Sequence, residues 1–119
     1  IENGGRKIIN IASLLSFVAL PERTLYTITK TGVIGLTRSL AAEWGKYNIN
    51  VNCIAPAWVK SDMTKDFLAD ENREKKILKT IPAGRIAIPE DVADVVLFLA
   101  SDLSNYITGE TIFLTGGAI

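Results

Sequence analysis

The spacing of apolar residues changes several times along this chain, and each change marks an element. Arg6-Lys7-Ile8-Ile9-Asn10-Ile11-Ala12 is short and rich in isoleucine, which predicts a strand because β-branched side chains are stiff and pack well on a pleated surface. Gly4-Gly5 just before it reads as a loop or a helix exit. From about Thr24 to Trp44 the apolar residues Leu25, Ile28, Val33, Leu36, Leu40 and Trp44 recur at helical spacing. Gly32 and Gly35 weaken that helix by about 1 kcal/mol each, which predicts compensation by a neighbouring backbone that approaches them closely. Asn48 to Ala55 returns to a strand pattern, with Val51, Cys53 and Ala55 alternating with Asn50, Asn52 and Ile54 before Pro56 ends its pairing capacity. Ser61 to Lys79 is charged and helix-prone, and predicts one or two short helices with Met63, Phe67, Leu68, Ile77 and Leu78 as apolar contacts. Pro89-Glu90-Asp91 opens a further helix, proline in its first turn and acids complementing the dipole, ahead of Val92, Val95, Val96, Phe98 and Leu99. Gly109 precedes a last strand, Thr111 to Leu114.

Strand, helix, strand, helix, strand with connections of this length predicts an α/β fold, a parallel sheet joined by right-handed crossovers. Ligands of such sheets bind at the carboxyl ends of the strands. Ser13 and the loop from Pro56 to Ser61 both lie at such ends. No repeat, low-complexity tract or linker divides residues 1–119, so they are read as part of one domain.

Composition narrows the function. With 48% hydrophobic and 22% charged residues the chain has material for a core, and its thirteen basic residues balance thirteen acidic ones. No nucleic-acid or membrane partner is expected from that balance, no apolar run approaches the roughly 20 residues of a spanning helix, and a soluble, cytoplasmic protein is the expectation. The absence of histidine excludes Ser-His-Asp and Cys-His chemistry and the usual histidine-bearing zinc sites, and no metal site is expected. Cys53 is the single cysteine and falls in an apolar strand pattern, so it is read as a buried, inert thiol.

Acid/base work must then come from tyrosine, lysine or carboxylates. Tyr26 and Lys30 stand at i and i+4 of the long helix, one turn apart on one face. A tyrosine is a poor proton donor or acceptor at neutrality, and a fixed cation beside it favours the phenolate form and makes it usable. Ser13, thirteen residues upstream of Tyr26, could hold the oxygen whose charge changes. Together the three outline a carbonyl/alcohol redox site.

A strand ending at Ser13, a loop containing Pro21, the helix with Tyr26-Thr27-Ile28-Thr29-Lys30, and a second strand running into Ala55-Pro56-Ala57-Trp58-Val59-Lys60-Ser61 resemble the short-chain dehydrogenase/reductase family. Pro82-Ala83-Gly84-Arg85, Pro89-Glu90-Asp91-Val92-Ala93 and Ile107-Thr108-Gly109-Glu110 extend the resemblance over nearly the whole chain. Ile11-Ala12-Ser13-Leu14-Leu15-Ser16-Phe17 looks most like the sugar-acid dehydrogenases that act on gluconate or deoxygluconate. The resemblance implies a Rossmann-like, doubly wound parallel sheet, NAD or NADP as cofactor, a small carbonyl or secondary alcohol substrate such as a sugar acid or a 3-ketoacyl compound, and a homo-oligomer, dimer or tetramer. It implies Tyr26 as general acid/base, Lys30 as its activator and a ligand of the nicotinamide ribose, and Ser13 as the holder of the substrate oxygen. Tyr26, Lys30, Pro56, Val59 and Ser61 would contact the cofactor, although Val59 also reads as simple packing and Ser61 as a helix N-cap.

The sequence departs from the family at Ala57, where glycine is usual and a positive φ would be strained by a Cβ, at Ser61 in place of threonine, at Thr115 in place of aspartate, and across Ile86-Ala87-Ile88, which lacks the frequent tryptophan or glycine. The Gly-x-x-x-Gly-x-Gly phosphate turn of the family is missing, and Gly32-x-x-Gly35 sits inside the helix. The chain is therefore expected to be the carboxyl-terminal catalytic half of one NAD(P)-binding domain. Two other readings stand beside it: a catalytically silent fragment that serves as an oligomerising interaction module, and an unrelated α/β binding domain.

Overall fold

The computed structural model describes residues 6–118, so the loop or helix exit read at Gly4-Gly5 lies outside the described residues. The middle strand is β2 (Ile49–Pro56), paired in parallel with β1 (Arg6–Ile11) on one side and β3 (Thr111–Leu114) on the other. Register runs from Arg6 opposite Ile49 to Ile11 opposite Ile54, and from Cys53 opposite Thr111 to Pro56 opposite Leu114. Pro56 falls at the end of the ladder, where it has no N–H to offer, and the N–H of Ala57 resumes the pairing by donating to the Leu114 carbonyl at 2.9 Å. Every residue from Ile49 to Ala55 is buried, so the alternation seen in the sequence separates two covered faces rather than an inner and an outer one.

One face is apolar. Val51, Cys53 and Ala55 pack with Ile8 and Ala12 against Val33, Leu40 and Trp44 of α1 (Thr24–Trp44). Cys53 is fully buried there, and burial pushes its thiol up from the ordinary cysteine range. The other face carries polar side chains that are all engaged. Asn50 Nδ2 donates to the Asn105 carbonyl at 3.2 Å, Asn52 Nδ2 to the Ile107 carbonyl at 2.8 Å, and the Glu110 N–H donates to Asn52 Oδ1 at 3.1 Å. These bonds satisfy the buried amides and pin the connection between α4 (Pro89–Ala100) and β3. Lys7 Nζ reaches Ser104 Oγ at 3.1 Å on the same side.

The apolar positions of α1 divide into two stripes. Val33, Leu40 and Trp44 face the sheet, whereas Leu25, Ile28 and Leu36 are exposed, Leu25 by 81%. Gly32 and Gly35 belong to this outer stripe, and a Cβ built on either meets nothing within 4 Å. The expected close backbone approach is therefore absent among the described residues, because the face that bears these glycines is turned away from the sheet.

The stretch after β2 forms α2 (Lys65–Leu68) and α3 (Glu71–Leu78), the latter capped by the Asp70 carboxylate, which accepts from the N–H groups of Asn72 and Arg73. Leu68, Ile77, Ile81 and Ile86 make a small separate core beneath Trp58. The Trp58 ring stacks on Phe67 at 5.2 Å, and the Arg73 guanidinium lies 4.8 Å from the same Phe67 ring. Met63, expected as a contact of these helices, is instead 85% exposed, since it falls in the turn before α2 begins. Among the described residues no helix is long and apolar enough to cross a membrane.

Candidate active site

Ser13 follows β1 in extended conformation and caps the 3-10 turn Leu14–Ser16. Its Oγ accepts from the Leu15 N–H at 3.2 Å, and its own N–H donates to Ser16 Oγ at 3.4 Å. A serine hydroxyl carries one donor and two lone pairs, so this cap leaves the proton and one lone pair for another partner. The turn is tied to the long helix by Thr31 Oγ1, 3.5 Å from the Ser16 carbonyl. Between them the chain reverses at Pro21-Glu22, with Glu22 at φ 61°, a left-handed conformation that costs a residue with a Cβ roughly 1–2 kcal/mol.

Tyr26 and Lys30 stand in the first turns of α1 on the stripe that continues into Val33 and Leu40, which aims them at the end of the sheet. Lys30 Nζ donates to the Ile11 carbonyl at 3.1 Å and lies 5.8 Å from the centre of the Tyr26 ring. Ile11 is the last residue of β1, two before Ser13. The ammonium is thus tied to the end of β1 and lies beside the tyrosine, with two of its three donor hydrogens uncommitted to Ile11.

The next strand brings the loop. Ala12 donates to the Ile54 carbonyl at 2.8 Å, so Ser13 and Pro56 leave neighbouring strands at the same end. Beyond Pro56, Val59 forms a parallel bridge with Ala87: Lys60 N–H donates to the Ala87 carbonyl at 2.8 Å and Ala87 N–H to the Trp58 carbonyl at 3.2 Å. Such a bridge uses the residues flanking Val59 and turns the N–H and C=O of Val59 itself the other way. Ala57 has no positive φ, so the strain expected from alanine in place of glycine does not arise.

Sequence reasoning missed Thr64. Its Oγ1 donates to the Val59 carbonyl at 2.5 Å and accepts from the Ser61 N–H at 3.0 Å, with Ser61 Oγ at 3.4 Å. Ser61 is therefore not a side-chain cap of α2; it is held by Thr64. A threonine three residues after a serine, at the start of a charged helical stretch, was the available signal. Behind the loop a cavity of about 130 Å³ opens between Trp58, Ile81, Arg85 and Thr115. None of Ser13, Tyr26, Lys30, Val59 and Ser61 lines it, and it is too small for a nucleotide.

Residues 1–118 match the family model described as enoyl-(acyl carrier protein) reductase. The chain is 50% identical over 115 residues to 2-dehydro-3-deoxy-D-gluconate 5-dehydrogenase of Escherichia coli (strain K12), an alignment that covers 97% of this chain and 45% of that protein. It is 44% identical over 110 residues to the 3-oxoacyl-(acyl-carrier-protein) reductase of Chlamydia trachomatis, covering 92% of this chain and 44% of the relative. A gluconate 5-dehydrogenase from Burkholderia cenocepacia, solved in complex with NADP and tartrate, superposes with a TM-score of 0.93 at 33% identity over 98% of this chain and 46% of its own. The chain spans about half the length of the curated relatives it matches. The parallel sheet, the Tyr26/Lys30 helix and the match along almost all of its length agree: the chain belongs to the short-chain dehydrogenase/reductase family.

Proposed function

We propose that this chain is the carboxyl-terminal, catalytic half of one Rossmann-like domain in an oxidoreductase that uses NAD or NADP to interconvert a carbonyl and a secondary alcohol. The observation that carries this reading is the Lys30 ammonium, bonded to the Ile11 carbonyl and lying beside the Tyr26 ring at the carboxyl end of the sheet. Tyr26 gives its phenolic proton to the substrate oxygen in reduction and takes it back in oxidation. Lys30 favours the phenolate left behind and bonds the nicotinamide ribose through a remaining donor. Ser13 donates its free hydroxyl proton to the same substrate oxygen, its cap on the turn fixing where that oxygen sits.

The residues present suit the nicotinamide end of the cofactor. Val59 N–H points away from the bridge with Ala87, Ser61 adds a hydroxyl, and Pro56, where β2 ends, would line the approach. A carboxamide, with one acceptor and two donors, is the group that such a set can hold. The cofactor supplies the hydride; the chain supplies orientation and the proton. No glycine-rich phosphate turn occurs in the sequence, so the pyrophosphate and adenine fall to the other half of the domain.

A small sugar acid is the favoured substrate class, supported by the names of the gluconate-type relatives, with a 3-ketoacyl compound as the other candidate. A cytoplasmic homo-oligomer, dimer or tetramer, is part of the proposal, and the uncovered stripe of Leu25, Ile28 and Leu36 supports the association. The same stripe favours the second reading, a silent oligomerising module. Tyr26→Phe separates the two. In the intact enzyme this variant should keep its fold and bind cofactor while carbonyl reduction falls by about 100-fold or more, the scale of a lost general acid. Turnover near that of the wild type, or no turnover by the wild type with any carbonyl acid, would remove the catalytic assignment.

A further inference from the structure

We propose that Thr64 is a positioning residue for the cofactor's nicotinamide, a role that rests on the dehydrogenase reading above. Its hydroxyl occupies the centre of the turn from Val59 to Thr64. The shortest of its contacts, 2.5 Å to the Val59 carbonyl, commits the hydroxyl proton to that oxygen. The oxygen then acts as acceptor toward Ser61: the backbone N–H at 3.0 Å and, through its other lone pair, the Ser61 hydroxyl at 3.4 Å. With its proton on Thr64, Ser61 Oγ turns lone pairs outward. The longer approach of Thr64 Oγ1 to the Ser61 carbonyl, 3.3 Å, has no proton left to use, and that carbonyl is already taken by the N–H groups of Thr64 and Lys65 at 3.1 and 2.9 Å.

The outcome is a fixed polarity at the mouth of the loop. The bridge with Ala87 holds the Lys60 side of Val59 from behind, and Thr64 holds its carbonyl from the front. What remains for a ligand is the Val59 N–H as donor, with the second lone pair of the Val59 carbonyl and the Ser61 oxygen as acceptors. A planar primary amide presents the complementary set, one acceptor and two donor hydrogens. Thr64 itself touches no ligand. Without its hydroxyl the Val59 carbonyl loses a partner, the Ser61 N–H loses its acceptor, and the Ser61 hydroxyl is free to rotate its proton into the site.

The test is made in the intact enzyme with two ligands, the nicotinamide cofactor and its ADP-ribose part, which retains adenine and pyrophosphate but has no nicotinamide. Thr64→Val removes the hydroxyl at nearly constant shape, and Thr64→Ser keeps it. Titration should show Thr64→Val weakening the nicotinamide cofactor about tenfold while ADP-ribose binding stays within about twofold, and Thr64→Ser should restore the cofactor affinity. Unchanged cofactor affinity in Thr64→Val would overturn the proposal. So would equal weakening of both ligands, which would give Thr64 a role in the fold alone. A wild-type enzyme that binds the cofactor but transfers no hydride between it and any carbonyl or secondary alcohol would overturn the dehydrogenase reading, and this proposal with it.

Discussion

At Ala57 a methyl group stands where the family pattern has glycine, and the backbone receives it without a left-handed turn. The Ala57 N–H bonds to Leu114, which makes this residue an extension of the β2–β3 pairing rather than a flexible joint. Ala57→Gly therefore relieves no strain and adds only freedom to the unfolded chain. It should lower stability by about 0.5–1 kcal/mol, read as a shift of the urea midpoint at constant slope, without tightening the cofactor. A more stable variant would show that the loop is strained by alanine after all. Tyr26, Lys30 and Ser13 could be proposed from the sequence because their chemistry is unusual in combination and the elements around them place them at one end of a sheet. Thr64 was not legible in the same way, since a threonine hydroxyl bonded to backbone is common and only three-dimensional closure of the turn shows that it bonds the Val59 carbonyl and the Ser61 N–H at once.

At the scale of elements, α4 depends on a device that its sequence half discloses. Pro89, Glu90 and Asp91 announce the helix start, but not the partners that the cap recruits from outside it: the Asp91 carboxylate, inside the first turn, reaches back to accept from the Ile88 N–H at 2.8 Å and from both terminal nitrogens of Arg85 at 2.6 and 2.7 Å. Arg85 above all, and the Ile88 N–H next, hold the Asp91 carboxyl well below the usual carboxylate range. A carboxyl lowered on folding contributes stability that is present above its unfolded value, near pH ~4, and is lost as pH falls through the lower folded value. Asp91→Asn should thus lower Tm by a few degrees at neutral pH, and the gap from wild type should shrink as pH drops below about 4. Thermal melts of both proteins across that range check it; a gap independent of pH would assign the loss to packing. Element types and their order were legible because strand and helix periods differ and the breakers Pro56, Pro89 and Gly109 punctuate them. The two stripes of α1 were not, because Leu36 and Leu40 keep the same helical spacing whether the face they mark is covered by the sheet or left open.

At the scale of the molecule, the described residues are extended for their number and leave apolar surface open. The radius of gyration is 15.8 Å, against about 13.5 Å for a compact chain of this length, and the longest axis is 52 Å. Three strands in the order β1-β2-β3 leave β1 at an edge, where its outer N–H and C=O groups have no ladder partner among the described residues and Ile11 is 44% exposed. Leu97 and Phe98 on α4, and Leu25 and Ile28 on α1, add apolar surface on both sides of the sheet. A free edge flanked by uncovered apolar helices is a template for strand addition. Residues 1–119 expressed alone should therefore associate, with themselves or with the amino-terminal half that the proposed function calls for. They should also bind nicotinamide cofactor at best in the millimolar range, since the sequence has no phosphate turn. Sedimentation of the isolated chain, with and without a separately produced nucleotide-binding half, tests the first part, and cofactor titration tests the second. A monomer that stays soluble and binds cofactor in the micromolar range would contradict both, because it would mean that the β1 edge is covered and that the pyrophosphate finds donors within these 119 residues.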